Sequence, residues 1–272
     1  MVFIYYNKNK CANNAEITVL TDALEKENID YEFISGENLN EKRSGEAIFV
    51  LGGDGTVLLV SPFSNANRIP IISINFGKLG FLSEFEAEQI DEAVKLLKNN
   101  QLVLDEKLSL EIEYNGEKYF GLNDVYLSRA YSKESRDLLT SVSVFADNVP
   151  VSSFKGDGVI ISTPTGSTAY SLSAGGSVLS PNVSALQITP IAPHSLCQRP
   201  IVCSAESNFN VKINDGAIAE LFIDSFHIAT LSNNDSFTVK KSKQPTQFLR
   251  RKNYNFFNIL QSKFSSDGDD NG

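Results

Sequence analysis

The stretch Glu46-Ala47-Ile48-Phe49-Val50-Leu51-Gly52-Gly53-Asp54-Gly55-Thr56-Val57-Leu58-Leu59-Val60 decides how this chain is read. Ala47–Leu51 is a short apolar run of strand character, and Val57–Val60 is a second apolar run able to open a helix. Between them stand Gly52, Gly53 and Gly55, with Asp54 as the one acidic side chain. Strand, glycine turn and helix start together present backbone N–H groups to an anion. Glycine accepts positive φ and lets a ligand approach the backbone closely. A carboxylate beside a phosphate cradle is electrostatically awkward unless it has a task. It could accept a proton from an attacking hydroxyl, or bind a metal ion directly or through water. No Gly-Lys-Ser/Thr follows, so this is not a P-loop, and the spacing is not Gly-x-Gly-x-x-Gly. On these residues alone, Asp54 as a plain helix N-cap stays open as a competing reading.

The chain has 272 residues, 42% hydrophobic and 21% charged, enough for one large domain or two modest ones. A net charge of −9 argues against electrostatic nucleic-acid binding. No signal peptide and no run of membrane-spanning length is read, so no membrane partner is expected. Cys11, Cys197 and Cys203 lack metal-ligand spacing. An odd cysteine count without a secretory signal reads as reduced thiols, and the expected location is cytoplasmic. His194 and His227 cannot make a zinc site alone and are read as structural.

Working outward, strands are expected at Val2–Tyr6, Tyr31–Ile34, Ala47–Leu51 and Ile69–Ile74, and a helix over Asn13–Glu27. The helix after Thr56 is expected to be short or kinked, because Pro62 lacks the N–H a helix interior needs. Glu86–Lys98 is amphipathic, with Ile90, Ala93, Val94 and Leu97 on one face. This alternation predicts an α/β domain with a mostly parallel sheet over residues 1–104. From there the runs are short, β-branched or aromatic, and punctuated by turn residues. Asn115-Gly116 and Asp147-Asn148 each sit between alternating runs as hairpin turns. Residues 105–243 are therefore predicted as a β-rich, sandwich-like domain. Residues 244–264 carry a basic-aromatic segment, Phe248–Phe264, with helical spacing, expected to pack back on the first domain. Residues 265–272 have no apolar side chain and are expected to be disordered.

A second motif, Lys155-Gly156-Asp157-Gly158, leads into Val159–Ser162 and then Thr163-Pro164-Thr165-Gly166-Ser167-Thr168-Ala169-Tyr170-Ser171-Leu172-Ser173-Ala174-Gly175-Gly176. Small residues let a flat ring lie close to backbone. Hydroxyls supply short hydrogen bonds, Tyr170 offers a stacking face, and Asp157 can accept from a hydroxyl or an exocyclic amine. A glycine-rich turn region without a ligand is the competing reading. Asn123-Asp124 places an amide and a carboxylate at a strand end, where only a bend would aim both at one ligand.

Taken together, Gly52–Thr56, the loop Asn75-Phe76-Gly77-Lys78-Leu79-Gly80-Phe81, Asn123-Asp124, Lys155–Gly158, Ser162–Gly176 and Pro190–Ser195 stand in the order seen in NAD kinases. The chain resembles that family from about Ala47 to Asp224. The glycine-Asp-glycine turn is shared with diacylglycerol and sphingosine kinases, whereas the Thr-Pro-Thr-Gly-Ser-Thr-Ala-Tyr segment is more particular to NAD kinases.

The resemblance implies an N-terminal α/β domain, a C-terminal β-rich domain and an active site between them. It implies transfer of the terminal phosphoryl of ATP, or of polyphosphate, to the adenosine 2′-hydroxyl of NAD, giving NADP, with Mg²⁺ or another divalent ion. By resemblance Asp54 is the general base, Gly52, Gly53 and Gly55 hold phosphates, and Thr56 belongs to the same nucleotide-binding turn. Asn123 and Asp124 would hold ribose or nicotinamide-side groups, and Lys155 and Asp157 would line the NAD site. Thr168, Ala169, Tyr170 and Ser173, with Thr165 counted among them, would hold adenosine or nicotinamide parts, and Ala192 would be a backbone or packing contact. No protein side chain is assigned as a metal ligand. Family members act as dimers or tetramers in which neighbouring subunits complete each site. Many members have Asn-Glu where Asn123-Asp124 stands. Asp224-Ser225-Phe226 occupies a strand end where some members place a polar ligand contact, which Phe226 cannot make through its side chain. The alternatives are a lipid-type kinase sharing the turn and a non-catalytic NAD-binding sensor.

Overall fold

The computed structural model describes residues 1–6, 15–77, 80–130, 139–214 and 218–269; Cys11 and the expected helix start at Asn13 lie outside them. The chain forms two units, Met1–Lys107 together with the segment from Thr246 onward, and Leu108–Pro245.

The first unit opens with β1 (Val2–Tyr6), α1 (Ala15–Lys26), β2 (Tyr31–Phe33), β3 (Ile48–Leu51), α2 (Asp54–Asn67), β4 (Ile71–Asn75), β5 (Phe85–Glu86), α3 (Ile90–Lys98) and β6 (Val103–Lys107). Every residue of β3 and β4 is buried, as unbroken apolar runs predict for parallel strands covered on both faces. The expected α3 face, Ile90, Ala93, Val94 and Leu97, is buried against Phe49, Leu51, Ile72, Ile74 and Phe85. One expectation is corrected in part: α2 is not short but runs 14 residues, with Pro62 inside it. Pro62 has no N–H for the carbonyl of Leu58 four residues back. The Ser61 hydroxyl donates to that carbonyl instead, at 3.0 Å.

The second unit contains β7 (Leu110–Tyr114), β8 (Glu117–Gly121), β9 (Asp124–Arg129), β10 (Thr140–Ala146), β11 (Val149–Gly156), β12 (Gly158–Ser162), α4 (Tyr170–Ser173), β13 (Ala185–Ile191), β14 (Ile201–Ser204), β15 (Phe209–Ile213), β16 (Ala219–Ile223), β17 (Phe226–Leu231) and β18 (Ser236–Lys241). Two antiparallel six-stranded sheets, ordered β11-β10-β15-β18-β7-β8 and β14-β13-β12-β9-β16-β17, share one core. Alternate residues fill it, among them Leu110 and Ile112, Val142 and Val144, Val125 and Leu127, and Val159 and Ile161. The hairpin turns are as read: Asn115 and Gly116 have φ of 51° and 79°, and Asp147 and Asn148 have 50° and 65°.

The chain then returns to the first unit as β19 (Thr246–Arg250) and α5 (Phe256–Asp269). The completed sheet has the order β2-β1-β3-β4-β19-β6, with β5 paired to β4. All neighbours are parallel except β6, which runs antiparallel to β19. Because β6 pairs inside this sheet, the first unit ends at Lys107 rather than at 104, and the second at Pro245 rather than at 243. The expected helical Phe248–Phe264 is corrected as well. Thr246, Phe248 and Arg250 are buried and alternate with half-exposed Gln247 and Leu249, a strand period, so helix begins only at Phe256. The helix continues to Asp269, into the tail expected to be disordered.

Candidate active site

In the first unit the sheet delivers the glycine turn at the end of β3. Gly52 has φ of +149°, and a Cβ there would meet the Thr56 hydroxyl oxygen at 2.4 Å, so glycine is required on two counts. Gly53 caps α2, its carbonyl accepting the N–H groups of Thr56 at 2.8 Å and Val57 at 3.3 Å. Asp54 is the first residue of the helix, and its carboxylate accepts three hydrogen bonds. The Phe81 N–H donates at 2.9 Å, the Leu82 N–H at 3.2 Å and the Ser83 hydroxyl at 3.3 Å. A Cβ on Gly80 would lie 1.9 Å from Asp54 Oδ1. Residues 80–83 are thus folded against Asp54, and two of their N–H groups with the Ser83 hydroxyl aim its carboxylate.

Asp54 forms part of the wall of a cavity of about 460 Å³, lined among the described residues by Gly53, Asn75, Phe76, Gly77, Gly80 and Lys263 as well. Gly52, Gly55 and Thr56 build the turn but are not in this lining. A Cβ on Gly55 would meet nothing within 4 Å, so the first turn of α2 is open there. Thr56 is 2% exposed, and its hydroxyl oxygen has no hydrogen-bond partner among the described residues.

The segment holding Asp54 is itself held by the end of the chain. Arg250 on β19 is buried. It donates to the carbonyls of Ser83 at 3.4 Å and Leu82 at 3.5 Å and to Glu84 at 3.2 Å. Its Nε faces Asp105 at 2.8 Å in an ion pair too bent for a hydrogen bond. The guanidinium lies over the Tyr254 ring at 4.0 Å and the Phe248 ring at 4.9 Å. Sequence reading missed Arg250, Ser83 and Lys263, because each reaches the turn only through tertiary folding.

In the second unit the predicted residues fall into two groups at opposite ends of β12. At its start, Lys155, Asp157 and Ala192 come together. The Asp157 N–H donates to Ile191, the His194 N–H to Lys155, and Asp157 Oδ1 pairs with Arg129 at 3.7 Å. Lys155 and Ala192 are exposed, and Ala192 has φ of 40°. Gly158 is needed for packing, since a Cβ there would lie 1.9 Å from the Leu127 carbonyl oxygen.

At the far end of β12, Asn123 and Asp124 meet the Thr163–Ser173 segment. The N–H groups of Leu122, Asn123 and Asp124 all converge on the Asp224 carboxylate at 2.7, 2.7 and 3.1 Å, and this is the bend the pair required. Thr163 ties the same bend to its own loop, its hydroxyl donating to the Leu122 carbonyl at 2.7 Å and its N–H to Asn123 at 2.8 Å. Asn123 Oδ1 is buried without a hydrogen-bond partner among the described residues. Asp124 is buried, and burial, then the charge of Asp224, pushes its carboxyl up to about 8. Burial likewise raises Asp224 to about 6, against three backbone donors that lower it. Asp224 and Ser225 have φ of 49° and 72° and make the tight turn between β16 and β17. Ser225 hydrogen-bonds to Tyr126. The role of Asp224 was not seen in sequence.

Tyr170, 37% exposed, stands edge-on to Tyr126, with ring centroids 5.0 Å apart. Tyr126 in turn stacks on Phe222 at 4.9 Å. Thr165 and Thr168 belong to a 3-10 turn and Ser173 to α4, with Ala169 joining the two, and the Thr168 hydroxyl donates to the Thr165 carbonyl at 3.2 Å.

Comparison with known proteins gives two family matches: an ATP-NAD kinase N-terminal domain over residues 7–102, and an ATP-NAD kinase C-terminal domain over residues 122–251. The chain belongs to the NAD kinase family. An NAD kinase of Chloroherpeton thalassium is 36% identical over 277 residues, covering 96% of either chain. One of Bifidobacterium longum is 37% identical over 227 residues, and the match covers 80% of this chain and 66% of that relative, just under two thirds of its length. Among solved structures, yeast NADH kinase complexed with NADH superposes with a TM-score of 0.81 at 25% identity, covering 97% of this chain and 87% of the other. An Archaeoglobus fulgidus NAD kinase in complex with ATP shares the fold, with a TM-score of 0.79 at 24% identity and coverage of 98% and 99%. The family's two domains thus correspond to an α/β unit with a mostly parallel sheet and an antiparallel β-rich unit. Among the described residues no helix is long and apolar enough to cross a membrane.

Proposed function

We propose that this protein is an NAD kinase, transferring the terminal phosphoryl of ATP to the 2′-hydroxyl of the adenosine ribose of NAD to make NADP. The observation that carries this reading is Asp54, a carboxylate aimed by three donors on the wall of a cavity that starts at a glycine-capped helix. Phosphoryl transfer needs positioning and charge neutralisation more than covalent chemistry. The open first turn of α2, with Gly53, holds the donor phosphates, and Asp54 accepts the proton of the attacking hydroxyl. In a loose transition state that proton leaves late, so a weak base in the right place suffices. On the second unit, Asn123, Asp124, Thr165, Thr168, Ala169, Tyr170 and Ser173, with Lys155, Asp157 and Ala192, recognise NAD. The unpartnered Asn123 oxygen suits a ribose hydroxyl donor, and the Tyr170 ring suits a base.

Among the described residues no three His, Cys, Asp or Glu side chains gather as a metal cage. The cavity's oxygen donors, Asp54 and Asn75, fit an ion that brings phosphate and water ligands of its own, as Mg²⁺ does. When bound, such an ion neutralises charge on the triphosphate. The protein is read as cytoplasmic and as a homodimer or homotetramer. The separation of the two NAD-recognising groups by the length of β12, about 17 Å for five residues, suits a site completed by a neighbouring subunit.

The test is NADP formation from NAD, ATP and Mg²⁺ by wild type and Asp54→Asn. The variant should keep its fold and NAD binding and lose turnover by about 10²–10⁴-fold. Equal turnover in both would remove Asp54 as the base. A folded wild type that makes no NADP from ATP or polyphosphate would overturn the reading. Phosphorylation of diacylglycerol would then favour the lipid kinase, and NAD binding alone the sensor. The polar run Ser162–Gly176 supports a nucleotide acceptor over a lipid.

A further inference from the structure

We propose that Lys263 binds the phosphates of the phosphoryl donor, brought into the Asp54 cavity by the C-terminal helix. The proposal rests on the NAD kinase reading above and deepens it. Lys263 lines the cavity together with Gly53, Asp54 and Gly77. Of the described side chains in that lining, Asp54 carries a negative charge and Lys263 a positive one. A polyphosphate entering beside Asp54 meets like charge, and the N–H dipoles of one helix start offset only part of it. An ammonium group with three donors on a flexible stem is the side chain that adapts to a phosphate chain.

The placement follows from the packing of α5. Phe256, Ile259 and Lys263 are spaced i, i+3 and i+7, one stripe of the helix. Phe256 packs on Phe81, ring centroids 6.0 Å apart, and Ile259 is 8% exposed. The same Phe81 donates its backbone N–H to Asp54. Helix docking and base positioning therefore share one residue, and the next turn of the stripe carries Lys263 to the cavity.

The experiment measures steady-state kinetics of wild type, Lys263→Met and Lys263→Arg with ATP and NAD varied separately. Thermal shifts with inorganic tripolyphosphate serve as a readout independent of turnover. Losing a charge-assisted contact should raise the KM for ATP by about 10- to 100-fold in Lys263→Met. The KM for NAD should change less than about twofold, since charge loss at one site leaves a separate binding surface alone. Lys263→Arg should recover most of the loss, and tripolyphosphate should stabilise wild type more than Lys263→Met. An unchanged KM for ATP, KM values that rise together, or a variant that unfolds would overturn the proposal, the last two in favour of a packing role. If wild type makes no NADP while the tripolyphosphate difference persists, the NAD kinase reading fails and the phosphate-binding role of Lys263 stands.

Discussion

At the residue scale the proposed chemistry depends on how one carboxylate is held. Asp54 is the first residue of a helix, where an acid is favoured by the dipole, and its oxygens are turned toward Phe81, Leu82 and Ser83. Gly80 makes that possible, because any Cβ would overlap the carboxylate. Gly80→Ala should therefore lower turnover at least about tenfold by displacing the Asp54 carboxylate. It should shift the melting temperature by only a few degrees. Parallel NADP assays and thermal melts check this, and unchanged turnover would show that the loop yields without moving Asp54. Asp54 itself was legible in sequence because its context is local: strand, glycines and helix start lie within a dozen residues. The need for glycine at position 80 was not legible, because the clashing atom belongs to a residue 26 positions earlier.

At the scale of elements, the C-terminal strand does more than close the sheet. Arg250 is buried between Glu84 and Asp105 and fastens the carbonyls of Leu82 and Ser83, so β19 fixes the segment that fixes Asp54. Arg250→Met leaves Glu84 buried with one cation partner fewer and Asp105 facing an apolar chain. The cost should be about 3–5 kcal/mol of stability, read as a fall in the urea midpoint. Turnover should fall in the fraction that remains folded. A variant as stable as wild type would mean that Lys107 and Arg251 already neutralise the two acids. In α2, Ser61→Ala would leave the Leu58 carbonyl without the donor that stands in for Pro62. A loss of about 1 kcal/mol is expected by chemical denaturation. Elements with strong local signals, such as α3 and the Asn115-Gly116 hairpin, were readable from sequence. Strand β19 was read as helix because its five-residue alternation runs into an aromatic, basic stretch with helical spacing. Only pairing with β4 and β6 decides between the two.

At the scale of the whole molecule, two buried carboxyls give the second unit a pH-dependent stability. Asp124 and Asp224 are buried in the second unit with carboxyls raised to about 8 and about 6. Between pH 4 and those values each is protonated when folded and ionised when unfolded, so unfolding releases protons. Stability then falls as pH rises, by at most about 1.4 kcal/mol per pH unit for one group, and the slope flattens above about pH 8. The melting temperature of the second unit should be higher at pH 5 than at pH 8, and Asp124→Asn should flatten that slope. A stability that rises over this range would mean that Asp124 is ionised in the folded state. The sequence by itself determined the alternation of strands and helices in the first unit, the turn-punctuated strands of the second, the glycine turn with Asp54 and the family. Those rest on interactions between near neighbours in the chain, whose spacing is visible in one dimension. Only the tertiary structure decided that Arg250 holds the segment around Asp54, that Lys263 lines the same cavity as Asp54, and that Asp224 bends Asn123-Asp124. Hydrogen bonds and ion pairs between residues about 100 to 170 positions apart leave no periodic trace in sequence. They become fixed only when sheet pairing and core packing bring the distant segments together.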